Sequence, residues 1–387
     1  MKISSTWRSI IALNGVSTLS QIGQFGIGFI ILPVWLTQIG MTAGQAGLLA
    51  AAQWSGMLIT LFLAPKCVEW IGARNTVLVG LLLSIIAFAL TPQLQWPLWL
   101  LTGALIGMGM GLRWIANETW LFKLTPEDSS GKVVGIHESL IALAGIIAPA
   151  LPLWLNIHDI RIFWIGVFFT ALAALPLFIA SPYRSAFHST HVSSTLSTEK
   201  TPLSSLMILG LLASVAGGLG DGALYGLFPL FAKYQGFSTE QTTLLLVILG
   251  IGAVIFQYPI GWGIDRFGIY RIMIFSALLA MIAALVLTVR QLSWIEVELS
   301  VLILGGFNSA FLTLGVFAAA SSGHAKMEHH MRLISVAFTI SSIIGPLIAG
   351  FVMDQLGEHL LMWQLAFFAL SLMVFTVGQK QRERIST

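Results

Sequence analysis

The feature that most limits the fold of this chain is a series of apolar runs of about 20 residues, closed by charged residues, proline or glycine. A helix of that length crosses the roughly 30 Å hydrocarbon core of a bilayer. Backbone groups inside a bilayer have to pair within the chain, so such runs predict transmembrane helices. The twelve spans that this pattern predicts are 9–36, 45–66, 75–91, 98–122, 132–155, 160–182, 204–232, 241–262, 271–290, 297–320, 332–354 and 361–378.

Composition excludes a soluble fold. Hydrophobic residues make up 57% of the chain and charged residues 9%, against about a quarter charged in soluble domains. The alternating pattern of a membrane barrel is absent, so we expect an all-α polytopic membrane protein. The basic segment Met1–Arg8 leads into an apolar run that continues to Trp35, which indicates a retained first helix. The single cysteine, Cys67, allows no internal disulfide, and we expect neither a metal nor a cofactor because no Cys/His cluster has ligand spacing.

The basic residues are distributed asymmetrically between the predicted loops. Of 19 Lys and Arg residues, Arg161, Lys233 and Arg290 fall on one side of the membrane and Arg113 falls inside a span. The other fifteen lie on the opposite side, which predicts a multi-pass protein of the bacterial inner membrane with both termini cytoplasmic. These residues are scattered singly and form no basic stripe, so nucleic acid is not an expected partner.

The chain divides near its centre. The Ser/Thr/His-rich stretch Ser181–Ser205 contains Pro182 and Pro202 and predicts a flexible cytoplasmic linker. We therefore expect an N-terminal six-helix bundle at 1–182, a linker at 183–203 and a C-terminal six-helix bundle at 204–387.

The two halves repeat at a fixed offset of 196 residues. Six pairs of chemically matched positions align without a gap: Gly26 with Gly222, Pro33 with Pro229, Gly40 with Gly236, Gln45 with Gln241, Glu69 with Asp265, and Gly72 with Gly268. Parallel repeats about an axis normal to the membrane are typical of transporters, whose substrate site lies between the halves.

Both halves carry one motif in the loop after their second span. The second copy, Gly261-Trp-Gly-Ile-Asp265-Arg266-Phe-Gly268, resembles the Major Facilitator signature G-x-x-x-D-R-x-G. The first copy keeps Glu69, Gly72 and Arg74 but lacks the first glycine and has Trp70 where arginine is usual. The resemblance implies a cytoplasmic gating motif in which the acid pairs with arginine and with a neighbouring helix end. A positively charged loop with a turn glycine is the alternative.

The resemblance extends over the whole chain and implies the Major Facilitator fold, two pseudo-symmetric six-helix bundles. Within that superfamily the elements Glu118-Thr-Trp-Leu121 and Gln257-Tyr-Pro-Ile-Gly261 are similar to those of a poorly characterised bacterial subgroup. In the family, helices 3, 6, 9 and 12 face lipid and the others surround the cavity. Spans 3, 6, 9 and 12 of this chain have no charged residue in their interiors.

Charged residues at membrane depth are costly and indicate function. Arg113 in span 4 and Asp221 in span 7 are both deep. We expect Asp221 to titrate protons and Arg113 to be its counter-ion or to bind an acidic group of the substrate. A permanent buried pair that holds helices together is the alternative. The run Gly217–Gly222 also predicts a kinked or broken helix around Asp221.

Other polar residues of the spans are candidate ligands for the substrate. They are Gln21, Gln24, Asn117, Tyr225, Gln257 and Asn308. The alternative is that the amides bridge helices. Glu118, His137 and Glu138 lie just inside the cytoplasmic boundary and predict an ion-pair cluster that gates closure. Gly103, Gly107 and Gly111 have the spacing of close helix packing.

Together these patterns predict a secondary active transporter that moves a small organic solute by alternating access. We expect proton coupling, favour efflux, and expect a monomer that is not an enzyme. Proton-coupled uptake of an acidic metabolite remains an alternative, as does a membrane receptor that binds without transport.

Overall fold

A computed structural model describes residues 5–126, 129–157, 159–181, 203–289, 291–322 and 324–386. Apart from Leu203, the predicted linker 183–203 lies outside these residues. The same holds for Lys2, Pro182, Arg184, Lys200, Pro202 and Arg290.

The described chain is built from helices that follow the predicted spans. The first span is composite, with α1 at Ser5–Ser20, a π-helix at Gln21–Ile31 and α2 at Leu32–Gln38. The remaining α-helices are α3 Ala43–Leu90, α4 Trp99–Leu124, α5 Ser130–Leu155, α6 Ile162–Leu172, α7 Ser205–Tyr234, α8 Thr239–Phe267, α9 Ile269–Val286, α10 Trp294–Ala320, α11 His324–Leu356 and α12 Leu360–Ser386. Short 3₁₀ turns follow at Thr91–Gln93 and Leu175–Phe178.

These helices account for all twelve predicted spans. Within the described residues, ten helices are long and apolar enough to cross a membrane. One of them, α3, contains two predicted spans that meet at Gly72, where the backbone leaves helical geometry with φ 81° and ψ 158°. The shorter apolar segment Ile162–Phe178 occupies the sixth predicted span. The all-α polytopic prediction is therefore confirmed.

The repeat predicted from sequence is visible in the backbone. Gly40 and Gly236 have φ of 86° and 88°, and Gly72 and Gly268 have φ of 81° and 83°. A residue with a Cβ rarely adopts such angles, so glycine is required at each of these turns. Each pair is separated by the predicted offset, and the two halves therefore turn in the same way after their first and second spans.

Equivalent helix starts also match between the halves. Thr42 and Ser238 each accept a hydrogen bond from a backbone N–H three residues later, where Gln45 and Gln241 bond back to the cap residue. Such reciprocal capping boxes satisfy N–H groups that a helix start leaves unpaired. The start of α3 and the start of α8 are thus fixed by the same local chemistry.

Glycines let helices within each half approach closely. Positions Gly103, Gly107 and Gly111 of α4 face Leu49, Gln53 and Thr60 of α3, respectively. The prediction that this series serves packing is confirmed. Between the halves, α3 packs on α11 and α5 packs on α8. Of these four helices, α5 and α8 also line the central cavity.

The predicted break in the seventh span is wrong. Helix α7 is continuous from Ser205 to Tyr234. Its glycines are instead used for packing, since a Cβ on Gly217 would lie 3.1 Å from that of Phe311 and one on Gly218 would lie 2.9 Å from that of Ser341. The irregular helix is the π-helix of the first span, at the positions that the repeat aligns with this glycine run.

The helices predicted to face lipid carry large apolar side chains on their outer surfaces. Trp164 and Phe168 of α6, Phe275 of α9, and Trp363 and Phe367 of α12 are each at least half exposed. Such surfaces are expected where a protein contacts hydrocarbon rather than water.

Candidate functional site

A cavity of about 850 Å³ lies between the two halves. Its wall is formed by the π-helix, α5, α7, α8 and α10, and it extends to Gly261 and Asp265 at the end of α8. We call this the motif end of the molecule. Ligand pockets for small organic molecules span roughly 300–1,000 Å³, so the volume suits such a ligand.

Asp221 of α7 is an acidic residue of the cavity wall, together with Glu138 and Asp265. Its Oδ1 accepts a hydrogen bond of 2.6 Å from Nδ2 of Asn308 on α10. No cation of the described residues forms an ion pair with it. A carboxyl group held by a neutral amide and facing a cavity can exchange a proton with water there.

Arg113 of α4 is the buried cation near the cavity, with 1% of its surface exposed. Its Nε donates to Oε1 of Gln24 at 3.0 Å, and its Nη2 lies 3.5 Å from Oε1 of Gln21. Both glutamines belong to the first span, so Arg113 bonds to another helix of the N-terminal half. Arg113 forms no ion pair with Asp221 or with another described carboxylate in this conformation.

Only some of the predicted substrate ligands lie on the cavity wall. Gln21, Tyr225 and Gln257 line it together with Asp221. The other three do not line the cavity and bond to other residues. Gln24 donates to Oγ of Ser84, Asn117 donates to Oγ of Ser17, and Asn308 donates to Oδ1 of Asp221. Gln24 and Asn117 therefore bridge helices of the N-terminal half, as the alternative interpretation stated.

Glu118, His137 and Glu138 do form one cluster. Their ligand atoms all lie within 4.8 Å of one another, and Nε2 of His137 is 3.5 Å from Oε1 of Glu118. Sequence reasoning missed Asn14 of α1, whose Oδ1 lies 2.9 Å from Nδ1 of His137. Glu138 also lines the cavity, so the cluster is connected to it.

Aromatic side chains join the two halves at two places. Phe25 of the π-helix and Tyr225 of α7 make an edge-to-face contact with ring centroids 5.5 Å apart. Trp54 of α3 and Phe338 of α11 do the same at 5.9 Å. Both pairs cross between the halves, and the first of them also lines the cavity.

Two charged side chains of the C-terminal half bind helix ends of the N-terminal half. Oδ2 of Asp354 accepts from the backbone N–H of Gly44 at 2.9 Å, at the start of α3, and Nζ of Lys233 donates to the carbonyl of Thr37 at 3.1 Å, near the end of α2. Each charge lies at the helix end that attracts it. We call these the closing contacts. No sequence signal paired residues so distant in the chain.

The second motif copy contributes Gly261, Trp262 and Asp265 to the cavity wall. Arg74 lies over the ring of Phe178 at 5.4 Å, and Arg266 lies over that of Trp262 at 5.3 Å. Neither Glu69 nor Asp265 forms an ion pair with a described residue. The acid–arginine pairing that the motif implies is thus not formed among the described residues in this conformation.

Comparisons with known proteins agree with this architecture. The family model of the Major Facilitator Superfamily matches residues 13–331 and 210–379. An uncharacterized MFS-type transporter, YcaD of Salmonella typhi, is 23% identical over 365 residues, covering 90% of this chain and 91% of the relative.

Solved structures show the same fold at low sequence identity. A point mutant of the nucleoside transporter NupG superposes with a TM-score of 0.83 at 13% identity, covering 96% of this chain and 99% of its own. A D-xylose–proton symporter superposes with a TM-score of 0.76 at 14% identity, covering 96% and 97%. The match of the family model along most of the sequence, together with this shared fold, shows that the chain belongs to the Major Facilitator Superfamily, a family of transporters rather than enzymes.

Proposed function

We propose that the protein is a proton-coupled secondary transporter that carries a small organic solute across the bacterial inner membrane by alternating access. The observation that carries this proposal is a cavity between two repeated halves with an acidic group, Asp221, on its wall and closing contacts at the end opposite the motif. A site that opens to one side at a time is the requirement for coupled transport.

The proposed proton carrier is Asp221. Its hydrogen bond from Asn308 fixes the carboxyl group on the wall, and the absence of a described cationic partner leaves its charge uncompensated. An unpaired charge at membrane depth is costly, so the carboxyl group binds a proton whenever the cavity closes around it. Cargo binding and proton binding are thereby coupled at one place.

The basic loops support cytoplasmic termini, and with that orientation the motif end faces the cytoplasm. The cavity is then open inward and the closing contacts lie on the periplasmic side. Efflux is the direction we favour. It requires cargo to enter at the motif end and protons to enter once the closing contacts have opened.

The test is solute movement by the purified full-length chain in liposomes with an imposed pH gradient. The panel contains nucleosides, pentoses, small carboxylic acids and drug-like cations. The first two classes are included because the transporters with similar folds are named for a nucleoside and for D-xylose. We expect at least one compound to move faster with a gradient than without it.

A thermal-shift screen of the same panel identifies compounds that bind. Binding without flux of any bound compound, with or without a gradient, contradicts the transporter proposal and supports a receptor. Flux that is equal in the presence and absence of the pH gradient contradicts proton coupling alone.

Uptake of an acidic solute is a second candidate, and Arg113 supports it. This guanidinium has amide partners but no described carboxylate, and Gln21 lies between it and the cavity. If Gln21 moves, the guanidinium of Arg113 becomes accessible from the cavity. Its N–H donors lie in one plane and can form two parallel hydrogen bonds to a carboxylate.

The Arg113→Lys variant tests the second candidate. Lysine keeps the positive charge but cannot form two parallel hydrogen bonds to a carboxylate. The affinity for a carboxylate cargo should therefore fall about tenfold or more, while neutral compounds bind as before. Unchanged affinity for carboxylates in a folded variant contradicts this role, and then the amide contacts of Arg113 serve packing alone.

A further inference from the structure

The cluster of Glu118, His137 and Glu138 admits a second role besides that of an ion-pair gate. His137 is completely buried, and its Nε2 has no hydrogen-bond partner. This atom points to the carboxylate of Glu118 at 3.5 Å, and Glu138 completes the group from the cavity wall.

Asn14 determines which nitrogen of His137 carries the proton. The amide Nδ2 of Asn14 donates to the carbonyl of Ile10 at 2.9 Å, so its Oδ1 is the acceptor that faces Nδ1 of His137. Nδ1 is then the donor, and Nε2 of the neutral ring presents a lone pair. Two acceptors, this lone pair and the carboxylate oxygen of Glu118, therefore face each other.

We propose that Glu118, His137 and Glu138 form a binding site for a divalent transition-metal cation, reached from the cavity. The donor set of one imidazole nitrogen and two carboxylates suits Zn²⁺, Co²⁺ or Mn²⁺ rather than Mg²⁺ or Ca²⁺, which prefer oxygen alone. The site goes beyond the proposed transport function and does not depend on it.

The distances fit such an ion. Metal–ligand bonds near 2.1 Å place the ligand atoms of a tetrahedral site roughly 3.4 Å apart. The 3.5 Å between Nε2 of His137 and Oε1 of Glu118 matches this spacing. Glu138 is exposed on the cavity wall, so its side chain is free to close the remaining distance, and water from the cavity takes the fourth position.

The surroundings orient the ligands as supporting residues do at metal sites. A metal-binding histidine usually donates its other N–H to an oxygen acceptor, which is the role of Asn14 here. Trp114 donates from Nε1 to Glu118, and the ring of Phe122 contacts the His137 ring edge-to-face at 5.8 Å. A divalent cation also offsets the negative charge of carboxylates brought together in one site.

Spacing along the chain does not indicate this site. Glu118 and His137 are 19 positions apart on two helices, and the predicted absence of a metal rested on ligand spacing in the sequence. The helices α4 and α5 bring the three ligands together, and α1 supplies Asn14.

Co²⁺ titration of the purified full-length protein tests the site, after chelator treatment and removal of any affinity tag. We expect one Co²⁺ per chain with the visible absorption of a four-coordinate ion, displaced by Zn²⁺ and not by Mg²⁺. His137→Gln and Glu138→Gln should each raise the Kd at least tenfold. Asn14→Leu should raise the Kd for Co²⁺ about tenfold, because the His137 ring loses the hydrogen bond that orients it.

The matched control is His359→Gln, which removes a histidine outside the cluster and should leave the Kd within twofold. Glu138 is exposed, so its variant retains the fold, which an unchanged melting temperature verifies. The proposal is overturned if wild-type protein binds no stoichiometric Co²⁺, or if a folded Glu138→Gln variant binds it as tightly as the wild type.

Discussion

At the residue scale, the proposed proton coupling depends on the carboxyl group of Asp221. Asn has the same shape and still accepts the hydrogen bond from Asn308 Nδ2, but it does not titrate. The Asp221→Asn variant should therefore bind cargo and lose the stimulation of flux by a pH gradient. Flux in liposomes, measured over a range of internal and external pH, checks this expectation.

The control for that variant is Asp159→Asn. Asp159 is an exposed acid in the loop before α6, paired with Arg161 at 2.9 Å, and it is not among the residues that line the cavity. Its variant should retain the full response to the gradient. If Asp221→Asn behaves like Asp159→Asn, protons are carried elsewhere, and Asp221 is only a polar group of the binding site.

At the element scale, the contact between α4 and α3 depends on the absence of a side chain at Gly107. A Cβ there would lie 2.8 Å from the carbonyl carbon of Gln53, and a backbone atom cannot move aside as a flexible side chain does. Gly107→Ala should destabilise the protein by about 1–3 kcal/mol, the usual cost of overpacking. The melting temperature in detergent should fall accordingly.

Gly135→Ala of α5 separates this effect from helix propensity. A Cβ at Gly135 meets no atom within 4 Å, and alanine favours a helix over glycine by about 1 kcal/mol. Its melting temperature should stay the same or rise. An equal fall in melting temperature in the Gly107→Ala and Gly135→Ala variants would show that the close approach of α3 and α4 does not limit stability.

Local chemistry explains which elements were predictable. The positive-φ glycines and the capping boxes involve residues within a few positions, so the repeat in sequence reproduces them in structure. The glycine run before Asp221 was misread because the same residue type serves both breaks and close packing. Neighbouring helices decide between them, and here Phe311 and Ser341 occupy the space beside α7.

At the scale of the whole molecule, the sequence predicted the twelve spans, the two repeated halves and the two charged residues at membrane depth, Arg113 and Asp221. It did not predict contacts between halves. Asp354 and Gly44 are 310 positions apart, and neither has an unusual local sequence. The partners of Arg113 were equally hidden, since an amide at depth can bind a neighbouring helix or a substrate with the same atoms.

Alternating access requires that opening at one end accompanies closing at the other. The closing contacts are weak individually, since a charge at a helix end contributes about 0.3–2 kcal/mol. Removing Asp354 deletes the acceptor for Gly44 and should raise the population of the conformation that is open at this end.

The measurement that tests this account most directly is electron spin resonance of two distances in the Asp354→Ala variant and in wild type. With Cys67 replaced by serine, one spin pair is placed at Lys132 and Phe267, at the motif end, and the other at Ile39 and Glu240, beside the closing contacts. We predict that Asp354→Ala lengthens the Ile39–Glu240 distance and shortens the Lys132–Phe267 distance. A longer distance beside the closing contacts with no change at the motif end would contradict alternating access by the two halves.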